Sequence, residues 1–177
     1  MIHDGIELTC ELGDIVQQRD IEAIVNAANA QLLPGGGVAG AIHSAAGRAL
    51  AEACRRYAPI RPGQAVITEG YRLPNKYVVH CLGPVYGVDQ PEDELLADCY
   101  RNALRLADSR QISSIAFPAL STGVFGYPID EAAPVAWAAV WEVLPQLHFV
   151  KKIRMVFNAI TTLRVYDEAL AARGRLP

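Results

Sequence analysis

Residues 26–47 of the chain read NAANAQLLPGGGVAGAIHSAAG, and residues 117–128 read FPALSTGVFGYP. In each, glycines follow a strand-like apolar run and precede a helix-like one. Glycine loses more backbone freedom on folding than any other residue, so ordering Gly35, Gly36 and Gly37 is costly unless something must lie against bare backbone. Backbone N–H groups at a helix N-terminus make an anion site that needs no lysine or arginine. Two such loops at two strand ends can together straddle a diphosphate. Neither stretch is a P-loop, because G-x-x-x-x-G-K-[ST] is absent, and GGGVAG does not spell the dinucleotide fingerprint G-x-G-x-x-G in its usual context.

Polar and aromatic groups accompany these loops. Asn26 and Asn29 bracket one strand end, and an asparagine amide both donates and accepts, which suits ribose hydroxyls or a held water. Asn26 also reads as a brace for its own loop. Asp14, at the end of the first strand, can accept from an exocyclic amine or serve as a turn cap. Phe125 lies within the second glycine loop, placed to pack on a sugar or to lid the core. Phe157 and Asn158 end the last strand, where a base could lie.

The elements that must hold these groups alternate between strand and helix. GIELTCELGDI reads as an edge or first strand, and residues 23–28 as a short buried one. From Val38 the apolar residues recur at helical spacing through Tyr57, predicting about five turns that end before Pro59 and Pro62. Residues 65–71 and 77–82 read as an antiparallel hairpin. A helix over 92–108, a strand over 113–120, a helix from about Asp130, a strand over 152–157 and a last helix follow. That last helix is capped by Thr161 or Thr162 and stopped by Gly174. Pro134 is tolerated only in the first turn of its helix or at a kink. About six strands and four helices in this order predict a mixed, mainly parallel sheet covered on both faces, whose ligands bind outside the strands' carboxyl ends.

Bulk properties narrow the class. The chain has 177 residues, 51% of them hydrophobic and 20% charged, with a formal net charge of −3. This is a globular composition of about one domain's length. No run of basic residues advertises a nucleic-acid surface, and Arg55, Arg56 and Arg61 read as a solvated helix end. The opening MIHDGIELTC does not read as a secretory leader, so none is expected, and no apolar run reaches membrane-spanning length. Cys10, Cys54, Cys81 and Cys99 are widely spaced, as are the four histidines, so free thiols in a cytoplasmic protein and no metal are expected.

Five segments taken together carry a resemblance: GDI at 13–15, AIVNAAN at 23–29, GGGVAGAIHSAAG at 35–47, HCLGP at 80–84 and FPALSTGVFGYP at 117–128. In order, and over nearly the whole chain, they resemble the macrodomain family. More narrowly, they resemble its bacterial single-domain members known as O-acetyl-ADP-ribose deacetylases. The resemblance implies one macrodomain over residues 1–177, a three-layer α/β/α sandwich with a six-stranded sheet, binding ADP-ribose or ADP-ribosylated proteins without a cofactor. It implies that Asp14 accepts from the adenine amine with Ile15 beside the ring. Gly35, Gly36, Gly37 and Val38 would line the diphosphate and distal ribose, and Ser121, Thr122, Gly123, Val124 and Phe125 would close from the other side. Asn29 would face the distal ribose, and Asn158, with Phe157 one residue off, would lie by the adenine.

One position departs from that pattern. The deacetylase-like members carry GGGVDG, with an aspartate that helps activate the attacking water, and this chain has Ala39 there. Losing an obligatory general base costs roughly 10²–10⁴-fold. GGGVAG instead resembles the viral macrodomains, associated with removing ADP-ribose from acidic side chains. There the departing carboxylate needs little acid assistance, and the substrate's own diphosphate can position water. His43, on the helix after the loop, is a further candidate base, or else points along the helix surface or bonds a backbone group. Two expectations result: an ADP-ribosyl ester hydrolase that uses Asn29 and a phosphate-activated water, or a non-catalytic ADP-ribose reader.

Overall fold

The computed structural model describes residues 1–176. Among them one sheet of seven strands runs in the order β1-β2-β7-β6-β3-β5-β4. The strands are β1 (Ile2–His3), β2 (Ile6–Leu12), β3 (Ala23–Ala27), β4 (Ala65–Glu69), β5 (Tyr77–Cys81), β6 (Ser114–Phe117) and β7 (Lys152–Phe157). The central ladders β2·β7, β7·β6, β6·β3 and β3·β5 are parallel, and β1 and β4 pair antiparallel at the two edges. β6 is buried along its whole length and β3 nearly so, which explains why each reads as a continuous apolar run instead of an alternation.

Five helices complete the described chain: α1 (Gly37–Ala46), α2 (Arg48–Cys54), α3 (Glu92–Ser109), α4 (Ile129–Val143) and α5 (Ile160–Arg173). Leu50 and Ile42 of α2 and α1 pack with Ile24, Val78 and Val156 on one face of the sheet. Leu96, Tyr100, Trp137, Val140 and Tyr166 of α3, α4 and α5 pack on the other face with Leu8, Val79 and Ile153. The three-layer α/β/α sandwich expected from the sequence is therefore present.

Several details differ from expectation. The sheet has seven strands and not six, because Asp4 and Gly5, at φ 50° and 75°, turn the chain into a short β1–β2 hairpin. Both central turn residues at positive φ is the geometry an Asp-Gly pair supplies. The single five-turn helix is two helices, broken at Gly47 with φ 84° and ψ 174°, so five helices stand where four were expected. The last helix is capped by Ala159, not by Thr161 or Thr162. Pro134 sits in the second turn of α4 on its exposed side, so the carbonyl its missing N–H would have met belongs to exposed Asp130.

Candidate functional site

The parallel strands deliver their carboxyl ends to one crevice of about 570 Å³. Gly13, Asp14 and Ile15 follow β2, Phe157 and Asn158 close β7, and Pro118 and Ala119 follow β6. Gly37 and Val38 of α1, Thr122 and Gly123 of the second loop, Ile129 of α4 and Thr162 of α5 complete the wall, together with Ala41 and Val156.

Three helices thus begin at this crevice, and their caps are Gly36, Pro128 and Ala159. None of these has a side-chain capping bond; the Glu131 N–H of α4 turns back to the Pro128 carbonyl at 3.1 Å, and the other first-turn amides are left for another acceptor. Helix N-termini favour negative charge, and no lysine or arginine lines the wall among the described residues. The arrangement suits an anion held by backbone.

The glycines in and after the first loop differ in what confines them. Gly37 has φ 56°. A Cβ on Gly40 would collide with the carbonyl of Gly35, so the loop can fold back on α1 only over a glycine. A Cβ on Gly36 would meet nothing within 4 Å, which leaves room beside the loop for a guest.

Of the residues singled out from sequence, Asp14, Ile15, Gly37, Val38, Thr122, Gly123 and Asn158 line the crevice. Gly35 and Gly36 are exposed on the same loop just before α1. Asp14 takes the capping role: Oδ1 accepts from the Val16 N–H at 3.0 Å, capping the 3-10 turn at Ile15–Gln17, and the residue also lines the wall. Phe157 is buried, tilted against Tyr166 with ring centroids 4.6 Å apart, so the end of β7 offers an aromatic beside exposed Asn158.

Asn29, Ser121, Val124 and Phe125 are not in the wall. Asn29 braces its loop: Nδ2 donates to the Leu33 carbonyl at 2.8 Å and Oδ1 accepts from the Leu33 N–H at 3.0 Å. Its Nδ2 also lies 3.4 Å from the place a Cβ on Gly35 would take, so the amide abuts the glycine loop. Ser121 is buried at φ 64°, and its Oγ fills the space a side chain on Gly83 would need. Val124 is fully exposed at the tip of the second loop. Phe125 packs with the α1–α2 core cluster, and its carbonyl accepts from the Tyr86 N–H at 2.9 Å.

The bracing role weighed for Asn26 belongs to Asn29. Asn26 is buried and donates to His80 Nδ1 at 3.1 Å. That bond requires His80 to carry its proton on Nε2, which donates to Thr68 Oγ1 at 2.9 Å. Burial, with His43 beside it, pushes the His80 pKa down to about 3. His43 is also buried, and burial lowers its pKa. Its two ring nitrogens have no hydrogen-bond partner among the described residues, so it neither lines the crevice nor bonds backbone.

Ala39 is buried in the first turn of α1, 5% exposed. Asp14 is the only carboxylate in the described wall, and it sits where β2 ends. Of the lining residues not singled out from sequence, Pro118, Ala119, Ile129 and Thr162 are strand-end or helix-start positions, and Ala41 and Val156 lie within α1 and β7. The rule that ligands bind at strand carboxyl ends points to the first two. No cluster of potential metal ligands occurs among the described residues, and none of their helices is long and apolar enough to cross a membrane.

Comparison with known proteins gives this geometry relatives. A model of the Macro domain matches residues 25–136. A macro domain-containing protein of Chlorobaculum tepidum is 50% identical over 153 residues, 86% of this chain and 89% of that protein. A Salmonella typhimurium protein named O-acetyl-ADP-ribose deacetylase is 45% identical over 170 residues, 93% of this chain and 94% of that protein. A solved mutant of the Oceanobacillus iheyensis macrodomain with ADPR is similar with a TM-score of 0.89 at 38% identity, covering 96% of this chain and 94% of that one.

Proposed function

The chain belongs to the Macro domain family, and from that premise we propose that it is a single macrodomain that binds ADP-ribose in the crevice and hydrolyses ADP-ribosyl esters. The observation that carries the ligand is the convergence of three helix N-termini without side-chain caps on a cavity walled without lysine or arginine. A diphosphate supplies the acceptors those amides lack. In this reading the diphosphate lies between Gly37–Val38 and Thr122–Gly123, with Gly35, Gly36, Ser121, Val124 and Phe125 as the supporting and covering parts of the two loops. The adenine lies between Asp14–Ile15 and Phe157–Asn158. Val124, fully exposed, is free to fold over the ligand.

The ester reading is supported by the Salmonella typhimurium relative's name. Its substrates are O-acetyl-ADP-ribose or mono-ADP-ribose on acidic side chains, and its setting is the cytoplasm, in keeping with four unpaired cysteines. Asp14 is the only carboxylate of the described wall, so with a glutamate-linked ADP-ribose the attacking water gives its proton to a diphosphate oxygen as its oxygen bonds the ribose C1″ and the carboxylate departs with the electrons of the broken C–O bond. Asn29 acts by holding the loop and, through the second N–H of Nδ2, by bonding the ribose or that water. The buried methyl of Ala39 favours a second reading, a non-catalytic ADP-ribose reader.

Calorimetry with ADP-ribose and single-turnover release from a glutamate-linked ADP-ribosylated protein test both. The hydrolase reading expects binding, release, and loss of release in Asn29→Ala. Tight binding with no release above background leaves the reader. Failure to bind at millimolar ligand overturns the ligand itself.

A further inference from the structure

At the β4 edge of the sheet lies a second groove of about 650 Å³ whose lining includes Tyr57, Ile60, Gln64, Asn102 and Arg105. β4 is the terminal strand. Its register pairs Ala65 with Cys81 and Ile67 with Val79. At the two ends of this ladder, the Leu82 N–H donates to the Gln64 carbonyl at 3.3 Å and the Gly70 N–H to the Lys76 carbonyl at 2.9 Å. In an antiparallel pair hydrogen-bonded residues alternate, so the even-numbered residues of β4 bond β5. Ala65 and Ile67 therefore turn their N–H and C=O groups to the free edge.

The groove is also basic. Arg105 lines it, and Arg56 and Arg61 are chain neighbours of its Tyr57 and Ile60. The Arg56 guanidinium lies 4.8 Å from the Tyr57 ring centroid and donates to its hydroxyl at 2.8 Å. None of these three arginines makes an ion pair among the described residues, whereas Arg101 and Arg154 each pair with two or more carboxylates.

The groove opens at the same end of the sheet as the crevice, on the far side of β5. β4 runs antiparallel to β5, so Ala65 lies beside Cys81 at the carboxyl end of the parallel strands. The Ile60 N–H donates to the carbonyl of Ala30 at 2.9 Å, one residue beyond Asn29. Two strand spacings, about 10 Å, separate β3 from β4.

We propose that this groove docks an extended, acid-rich polypeptide segment by adding it as a strand to β4, with its acidic side chains against Arg56, Arg61 and Arg105. Such a segment is the chain flanking an ADP-ribosylated side chain held in the crevice, so the assignment of the segment as substrate rests on the ligand proposed above. The unpaired N–H and C=O ladder selects a polypeptide over a nucleic acid, because only a peptide backbone matches it. A second copy of this chain would bring its own three arginines to the edge, and like charges set against each other disfavour that occupant.

The test uses the whole chain and three labelled, unmodified decapeptides: alternating Glu-Val, alternating Gln-Val, and the Glu-Val peptide N-methylated at alternate residues. By fluorescence anisotropy at low salt, the Glu-Val peptide is expected to bind at least about tenfold more tightly than the Gln-Val peptide. Its advantage shrinks as salt screens the exposed charges. N-methylation at the edge-facing amides abolishes binding, and Arg56→Glu with Arg61→Glu removes the preference for Glu. Calorimetry shows ADP-ribose binding unchanged in that double variant, which separates the groove from the crevice. Equal binding of the Glu-Val and Gln-Val peptides overturns the proposal, as does a charge-reversal variant that keeps the preference. Displacement of the Glu-Val peptide by a single-stranded oligonucleotide that binds more tightly makes the groove a nucleic-acid surface, and also overturns it. Loss of ADP-ribose binding in the unaltered protein would sink the crevice ligand while leaving the peptide result to stand or fall alone.

Discussion

Gly40, in the first turn of α1, lies so close under the carbonyl of Gly35 that no side chain fits between them. The glycine loop is therefore shaped from below by the helix it introduces. Gly40→Ala must push the loop off α1 or strain the turn, and overpacking of this kind costs about 1–3 kcal/mol. The expected outcome is a melting temperature lowered by several degrees and, by calorimetry, ADP-ribose affinity reduced about tenfold or more. Wild-type affinity in a folded Gly40→Ala protein would show that the loop is no part of the ligand cradle.

Ala39 is one residue away and buried. A carboxylate there gains from the helix N-terminus by about 0.3–1 kcal/mol, which offsets part of its desolvation. If hydrolysis is slow for want of a protein base, Ala39→Asp should raise single-turnover release of glutamate-linked ADP-ribose by about 10²-fold. ADP-ribose affinity should change little, since the diphosphate contacts are made by the loop backbone. Unchanged release would locate the limit elsewhere than in a missing carboxylate.

The His80 imidazole is neutral and donates to Thr68, and burial holds its pKa at about 3 against an ordinary 6.5. Below pH 6.5 the unfolded chain takes up a proton that the folded protein refuses, so acidification costs stability. The cost accrues at about 1.4 kcal/mol per pH unit for one such group. Above that pH both states are neutral and this term vanishes. His43, lowered in the same direction, steepens the loss. Urea unfolding from neutral pH down to about 4.5 should show this slope, and His80→Gln should flatten it while lowering stability at neutral pH. An unaltered slope in the variant would assign the acid sensitivity to other groups.

The succession of strands and helices along the chain and the two glycine loops are legible because both rest on local patterns: continuous apolar runs for strands buried on two faces, and glycine clusters at their ends. The Asp4-Gly5 turn was equally local but went unread, and it supplies the seventh strand. What local pattern cannot show is which distant group a residue meets. Asn26 and Asn29 are three apart and chemically alike, yet one turns inward to His80 and the other back to Leu33. The choice follows from strand pairing, which sets Asn26 opposite His80 in the β3–β5 register. Gly47 carried a signal as well, but apolar periodicity continues across it and conceals the break between α1 and α2.

Gly83 of HCLGP is a second case of a glycine explained only through space. It is buried against Ser121, whose Oγ occupies the position a Cβ on Gly83 would take. Ser121 itself has φ 64°, a backbone region that costs an L-residue about 1–2 kcal/mol, and its hydroxyl has no hydrogen-bond partner among the described residues. Gly83→Ala should therefore destabilise the protein by about 1–3 kcal/mol through the clash. Ser121→Gly should cost little, because it removes backbone strain and an unsatisfied hydroxyl while forfeiting some unfolded-state entropy. Combining them removes the collision, so the double variant should recover most of what Gly83→Ala loses. The recovery would appear in urea unfolding as a coupling energy of about 1 kcal/mol or more. Strict additivity of the two substitutions would show that Ser121 is not what confines position 83 to glycine, and that the second loop is held against β5 by other contacts.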